Sequence, residues 1–180
     1  VKNEESNMRR CLNSVAGIVD EIIVVDTGST DNTCGLARQY GAKIQTYIWN
    51  NNFSDARNAS LEAATGDWIL CLDADEQLSP DSRAILRKLV NEPTITGYFV
   101  KILNFLGDEG WTDICPDLAF RFFRNHRDYR FRGAIHEQIA DVILSKNNQA
   151  RFKTAEDLVI LHYGHLINQE NAEAENSEIS

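Results

Sequence analysis

The sequence has no apolar run approaching the ~18 residues that would read as a membrane-spanning helix. No signal-peptide pattern is visible at its start, and no internal repeat. Basic residues are in deficit: 18 Lys and Arg stand against 27 Asp and Glu, for a net charge of −9. A general nucleic-acid binder needs a basic face, so that class is set aside. A nucleotide ligand is not, because a metal can carry its phosphates. The four cysteines, Cys11, Cys34, Cys71 and Cys115, lie far apart and form no C-x-x-C pair. They read as free thiols in a reducing compartment. The expected location is cytoplasmic, including a peripheral place on the inner face of the membrane. What remains is ordinary for a soluble globular protein, at 43% hydrophobic and 25% charged. A length of 180 residues is enough to bury one sizeable core.

The most informative stretch is Trp68-Ile69-Leu70-Cys71-Leu72-Asp73-Ala74-Asp75-Glu76. Five uncharged residues read as a buried strand. Three carboxylates follow within four positions, at the strand's exit. Ligands of open α/β sheets bind beyond the carboxyl ends of the strands. Asp73 and Asp75 are two apart and can turn towards one hard cation such as Mg²⁺ or Mn²⁺. For a bare D-x-D, a solvated acidic turn is the blander reading. A calcium loop fails, because its sixth and twelfth positions here are Leu78 and Ala84, where Gly and Glu are needed. A phosphatase of the haloacid dehalogenase type also ends a strand in D-x-D, but there the motif is expected in the first strand.

Periodicity places the surrounding elements. Residues 4–16 repeat Met8, Cys11, Leu12 and Val15 at helical spacing. Residues 21–25 are a β-branched strand ending in Asp26, with Gly28 allowing a tight turn and Ser29 or Thr30 able to cap the next helix. Turn and cap chemistry explains Gly28, Ser29 and Asp31, but not a carboxylate at the end of a buried strand. A helix to about Tyr40, a strand over 42–48, a helix over 53–64 and a helix from Ser79-Pro80-Asp81 to about Val90 complete a helix–strand alternation. That pattern predicts a parallel sheet with helices on its faces.

Four segments in this order resemble glycosyltransferase family 2: Lys2-Asn3-Glu4-Glu5, the run from Ile22 to Thr33, Ala56-Arg57-Asn58, and the run from Gly66 to Glu76. The resemblance implies an α/β GT-A fold, the nucleotide-diphospho-sugar transferase fold. It would have a mainly parallel Rossmann-like sheet with helices on both faces and a smaller mixed or antiparallel second half. It also implies a hexosyltransferase that moves a sugar from a nucleotide-diphosphate-sugar, UDP-linked by first expectation, to a glycan, lipid or protein acceptor. Transfer is expected to be inverting and to need a divalent cation, Mg²⁺ or Mn²⁺. By position, Asp26, Thr27, Ser29, Arg57, Asp73 and Ala74 fall to the nucleotide-sugar, and Asp73, Asp75 and His162 to the metal. Many members carry a second Asp where this chain has Thr27. Members usually have an apolar strand just before the Lys-Asn-Glu-Glu stretch, so the first strand is expected to be missing here.

The second half carries strand patterns over 97–106, 118–124 and 158–161. Residues 107–111 read as an exposed loop, with Trp111 a candidate for stacking on a sugar. Inverting transfer needs a carboxylate to take the acceptor's proton. The resemblance puts it at Glu137, in Ile135-His136-Glu137, with Asp113 and Asp117 in reserve. A structural His-Glu pair is the bland alternative. His162 and His165 follow the last strand. Residues 1–167 are expected to form one domain, with a nucleotide half over 1–90 and an acceptor half over 91–167. Residues 168–180 read as a polar tail or linker. Two other function classes stay open: another nucleotide-binding enzyme, such as a nucleotidyltransferase or phosphatase, and a catalytically silent nucleotide-sugar-binding module.

Overall fold

The computed structural model describes residues 1–108, 111–134 and 138–164, with Asp108, Trp111 and Thr112 described by backbone alone. The chain begins with helix α1 (Glu5–Val15), which buries Met8, Cys11, Leu12 and Val15. Gly17 ends it at φ +72°, a left-handed conformation that glycine adopts without strain. Strand β1 (Ile23–Asp26), helix α2 (Thr33–Gln39) and strand β2 (Lys43–Thr46) follow, with β1 and β2 parallel from Ile23↔Lys43 to Asp26↔Thr46. The expected caps of α2 serve other bonds. Ser29 Oγ accepts from Asn3 N and Thr30 Oγ1 donates to Asn3 Oδ1, while Asp31 Oδ1 accepts from Thr33 N at 3.0 Å.

Helix α3 (Phe53–Ala63) is capped by Asn52, whose side chain accepts from Asp55 N. Strand β3 (Trp68–Leu70), strand β4 (Glu76–Leu78), helix α4 (Ser82–Leu89), strands β5 (Gly97–Asp108) and β6 (Trp111–Arg124), helix α5 (Ala140–Lys146) and strand β7 (Phe152–His162) follow. The five later strands make a mixed sheet in the order β3-β6-β5-β7-β4, in which only β5 and β7 are parallel.

This differs from the expected parallel sheet in one respect. Strand β3 does not join β1; it runs antiparallel to β6, pairing Trp68 with Arg124 and Leu70 with Phe122. Side-chain packing favours that partner. The Trp68 indole stacks on Phe122 at 4.8 Å and on Tyr98 at 5.9 Å, and the Arg124 guanidinium lies 4.5 Å over its ring. Between β1 and β3 runs a cavity of about 500 Å³ lined by Ile23, Leu70, Leu72, Leu86 and Phe122 among others. Val1 lies along β1: its amino group donates to Val25 O, and its carbonyl accepts from Thr27 N.

Three other ranges differ. The β5–β6 hairpin runs on to Asp108↔Trp111, so the loop expected over 107–111 shortens to its tip. Strand β7 begins at Phe152, well before the apolar run that announced it. Helix α4 starts at Ser82, after the Ser79-Pro80-Asp81 turn.

The largest core cluster, around Leu78, Tyr98, Val100, Phe122, Leu158 and Ile160, fills one face of the mixed sheet. A second joins α1 and α2 to β1, and a third packs Leu61, Phe123, Phe131 and Ile143 on the other face. No described helix is long and apolar enough to cross a membrane.

Candidate active site

Asp26 closes β1 and is buried. Its carboxylate turns back into its own loop, where Oδ1 accepts from Ser29 N at 3.0 Å. Burial works against the charge, but bonds from the Ser29 hydroxyl and from the Ser29 and Gly28 amides outweigh it and hold Asp26 below its ordinary value. Gly28, at φ +110°, makes that turn possible. The neighbouring Thr27, not Asp26, lines the cleft beside the D-x-D turn. Thr27, next to Asp26 in the chain, lines the same cleft as Asp73.

The cleft, about 570 Å³, is lined by Thr27, Trp49, Phe53, Arg57, Asp73, Ala74 and Asp75 together with an apolar floor from α1 and β1. It brings together most of the residues singled out in the sequence. The two D-x-D carboxylates have different surroundings. Asp73 is clasped by two guanidiniums: Arg57 Nη2 donates to both carboxylate oxygens at 2.9 and 3.2 Å, and Arg121 Nη2 donates to Oδ2 at 3.0 Å. Arg121 also reaches Glu76 Oε1 at 3.3 Å, and Glu76 Oε2 accepts from Asp73 N at 2.7 Å. Two carboxylates of this turn are therefore balanced by two guanidiniums, one from α3 and one from β6. Partial burial pushes Asp73 up, but Arg57 and Arg121 outweigh it and hold the group below its ordinary value. Glu76, only 2% exposed, goes the other way: burial raises it and Arg121 offsets only part of that.

Arg121 was not visible as a site residue from the sequence. Its aim comes from a β-bulge. Tyr98 pairs with Phe122 but Phe99 with Phe120, so Arg121 is the extra residue in the ladder and its side chain is redirected. Glu76 sits on the core side of β4, one step from buried Leu78.

Asp75 faces a histidine. His162 Nε2 lies 3.2 Å from Asp75 Oδ2, and His162 Nδ1 pairs with Asn104 Oδ1 at 2.7 Å. Tyr163 N donates to Asp75 O at 3.2 Å, fixing the end of β7 to the D-x-D turn. Gly164 leaves room for the pair: a Cβ there would overlap Asp75 Oδ2 and stand 2.9 Å from His162 Nε2. Among the described residues, no group of three or more His, Cys, Asp or Glu could hold a metal. The pair still fits a hard or borderline divalent cation. Such ions commonly take one or two protein ligands, with substrate phosphates and water for the rest. Cys11 adds no nucleophile. Its Sγ–H donates to Asp73 O at 3.5 Å, and burial, with the nearby carboxylates, pushes it up to about 12.

Ile135, His136 and Glu137 lie outside the described residues, as do His165 and the 168–180 stretch; the Trp111 side chain is likewise not described. The chain on either side of Glu137 is well fixed. Helix α3, which carries Arg57, holds the approach: Phe53 N donates to Ala134 O, Ser54 Oγ to Gly133 O, and Asn58 makes two bonds to Phe131. Arg132 and Gln138 bridge the stretch from both ends. Asp113 and Asp117 are exposed on the hairpin and do not line the cleft.

Comparison with known proteins agrees with this geometry. The family model described as Glycosyl transferase family 2 matches residues 1–156. A TPR repeat-containing protein of Synechococcus elongatus is 40% identical over 169 residues, 92% of this chain and 41% of that protein. The prophage-derived glycosyltransferase SunS of Bacillus subtilis is 29% identical over 173 residues, 95% of this chain and 40% of its own. The chain thus spans about two fifths of the length of these curated relatives. Among solved structures, residues 1–349 of S. aureus TarS superpose with a TM-score of 0.61 at 18% identity, covering 91% of this chain and 58% of that one. The mannosyltransferase PcManGT from Pyrobaculum calidifontis, in complex with GDP-Man and Mn²⁺, gives 0.64 at 17% identity, covering 90% and 54%. These likenesses show the GT-A fold, here with a curled mixed sheet.

Proposed function

The chain belongs to glycosyltransferase family 2, and from that premise we propose that it transfers a hexose from a UDP-type nucleotide-sugar to an acceptor, with inversion, using a divalent cation held by Asp75 and His162. The observation that supports this best is the division of labour inside the D-x-D turn. Asp73 is neutralised by Arg57 and Arg121, while Asp75 is turned to His162. An ion held there, Mg²⁺ or Mn²⁺, would act as a Lewis acid on the leaving diphosphate. Asp73 and Ala74 face the ribose side of the donor. Thr27 lines the wall nearest the base, and the Asp26–Ser29 turn supports it from behind. Arg57 adds positive charge beside the phosphates once a donor is bound.

Glu137 is proposed as the base that takes the acceptor's proton. Its support is positional: the flanking chain at Ala134 and Gln138 is fixed to the helix that carries Arg57 and to the Arg132 bridge. The unit proposed for this chemistry is a single domain over 1–167. A cytoplasmic setting goes with it, since all four cysteines are unpaired.

A thermal-shift panel of nucleotide-sugars, with and without Mn²⁺, tests the reading. At a hundredfold excess over Kd, a bound donor adds about 2.7 kcal/mol. For a chain of this size that is a rise of about 5–10 °C in Tm. The rise is expected for a UDP-linked sugar and only with the metal. A panel in which no nucleotide-sugar shifts Tm contradicts the proposal.

A further inference from the structure

The amide of Asn104 does something that no motif in the sequence announces. Its carbonyl oxygen lies 2.7 Å from His162 Nδ1, and its Nδ2 donates to Cys115 O at 3.0 Å across the β5–β6 ladder. A backbone carbonyl can only accept, so the NH₂ end of the amide must face Cys115. The oxygen end must then face His162, and an oxygen can only accept. His162 Nδ1 therefore carries the ring proton. A neutral imidazole has one N–H, so the lone pair sits on Nε2, which points at Asp75 Oδ2 from 3.2 Å.

We infer that Asn104 is a positioning residue: it locks His162 into the Nδ1–H tautomer and so presents Nε2 as a ligand for a divalent cation shared with Asp75. The inference rests on the metal site proposed above. It goes beyond that reading by assigning what orients the histidine. A neutral ring that donated to Asp75 would need its proton on Nε2, and Asn104 would then face it with the wrong end of the amide; a doubly protonated ring donates to both partners, and Nε2 gives up its proton when a cation takes its place. In the neutral ring, a lone pair and a carboxylate oxygen face each other, an arrangement that a cation between them relieves.

Placement supports the assignment. Asn104 follows Val100 and Ile102, 0% and 5% exposed, on the inward parity of β5. It is registered opposite His162 in the parallel ladder and opposite Cys115 in the antiparallel one. Glu76 is registered opposite His162 from the far side. Three polar side chains thus cross the sheet in one row, where the preceding row is Ile102, Ile160 and Leu78. Strand ladders fix this row more tightly than a loop would, which suits a ligand that must be held to a fraction of an ångström.

The test uses Mn²⁺ together with UDP as the probe. Asn104→Leu keeps the volume but removes the acceptor. Asn104→Asp keeps an acceptor for Nδ1–H, since carboxylates serve metal-bound histidines in this way. The expected result is a fall of about 10–100-fold in Mn²⁺–UDP affinity for Asn104→Leu, the usual cost of losing such a partner, with affinity largely retained in Asn104→Asp. A purely structural amide predicts the reverse order, because leucine suits the core side of a strand and a second carboxylate does not. Long-range proton–nitrogen correlation spectra of the metal-free protein give an independent reading, with His162→Gln used for assignment. The Nδ1–H tautomer is expected of the neutral ring, and a neutral ring protonated on Nε2 in the parent protein overturns the inference even if the leucine variant fails to fold. If Asn104→Leu binds Mn²⁺–UDP like the parent while His162→Ala and Asp75→Asn do not, Asn104 has no positioning role. If none of the three loses affinity, the metal-site reading itself fails.

Discussion

Adding one methyl group at Gly164 should disable the metal site while leaving the fold intact. A Cβ built there would overlap Asp75 Oδ2, and would lie 2.9 Å from His162 Nε2 and 3.0 Å from Asp75 Cγ. Ordinary carbon contacts need about 3.5 Å, so the carboxylate must retreat by more than about 1 Å. Metal sites tolerate about 0.2 Å of error in a ligand distance. Gly164→Ala is therefore expected to weaken Mn²⁺–UDP binding by at least about 10-fold, the lower end of what a disturbed ligand shell costs. Stability should hardly change. Gly164 is exposed and its φ lies outside the left-handed region that penalises a side chain. A change of about 1 kcal/mol, or roughly 2–4 °C in Tm, is the limit expected. Titration calorimetry of Mn²⁺ into the UDP-saturated protein, beside a melting curve, reads both quantities. Parent-like metal affinity in a folded Gly164→Ala protein would refute the placement of the ion between Asp75 and His162.

Other outcomes follow from the same geometry. Arg121→Met strands the buried Glu76 carboxylate and should cost about 1–3 kcal/mol in a denaturation series near neutral pH. Glu76 is raised above 4.5 in the fold, so stability linked to its protonated form is complete below 4.5 and lost as pH rises through the raised value. The Arg121→Met deficit should therefore shrink as pH falls, and Arg121→Met/Glu76→Gln should be more stable than Arg121→Met alone; a pH-independent, additive cost would show that the two do not interact. Glu21 is held down to about 2 from 4.5, first by Lys43 and then by the Thr65 amide, so its contribution is present above 4.5 and lost as pH falls towards 2. Because Lys43 is 61% exposed, Glu21→Gln should cost less than about 1 kcal/mol at neutral pH and nothing in strong acid. Glu137→Gln should leave donor binding unchanged and slow transfer to the acceptor by about 10²-fold or more; undiminished transfer would return the role to Asp113 or Asp117, and loss of donor binding would move Glu137 to the nucleotide site.

Much of the site was legible because its signals are local. The apolar run into Asp73-Ala74-Asp75 announced both a strand and its acidic exit, and Leu158 to His162 announced another strand ending in a histidine. Arg57 was reached through the resemblance, on a helix whose apolar period was plain. Arg121 and Asn104 were hidden for physical reasons. A bulge that re-aims one arginine depends on the register of Tyr98 and Phe99 against β6, which no single segment encodes. Asn104 gave a faint signal, a polar residue on the inward parity after Val100 and Ile102, but its meaning depends on which strands lie beside it. Strand β4 was missed because Glu76-Gln77-Leu78 has no length to show a period. The pairing of β3 with β6 was missed because alternation of helix and strand favours parallel neighbours, whereas here the stacking of Trp68 on Tyr98 and Phe122 decides the partner.

A nucleoside diphosphate and a divalent cation are proposed to meet at Asp75 and His162. Crystals grown with Mn²⁺ and UDP, with diffraction recorded at the manganese edge, test it most directly. One strong anomalous peak is expected within about 2.3 Å of an Asp75 carboxylate oxygen and of His162 Nε2, bridged to the diphosphate, with Asp73 still clasped by Arg121. A peak elsewhere, or UDP bound in the cleft with the Asp75–His162 pair undisturbed and no manganese on it, would contradict it.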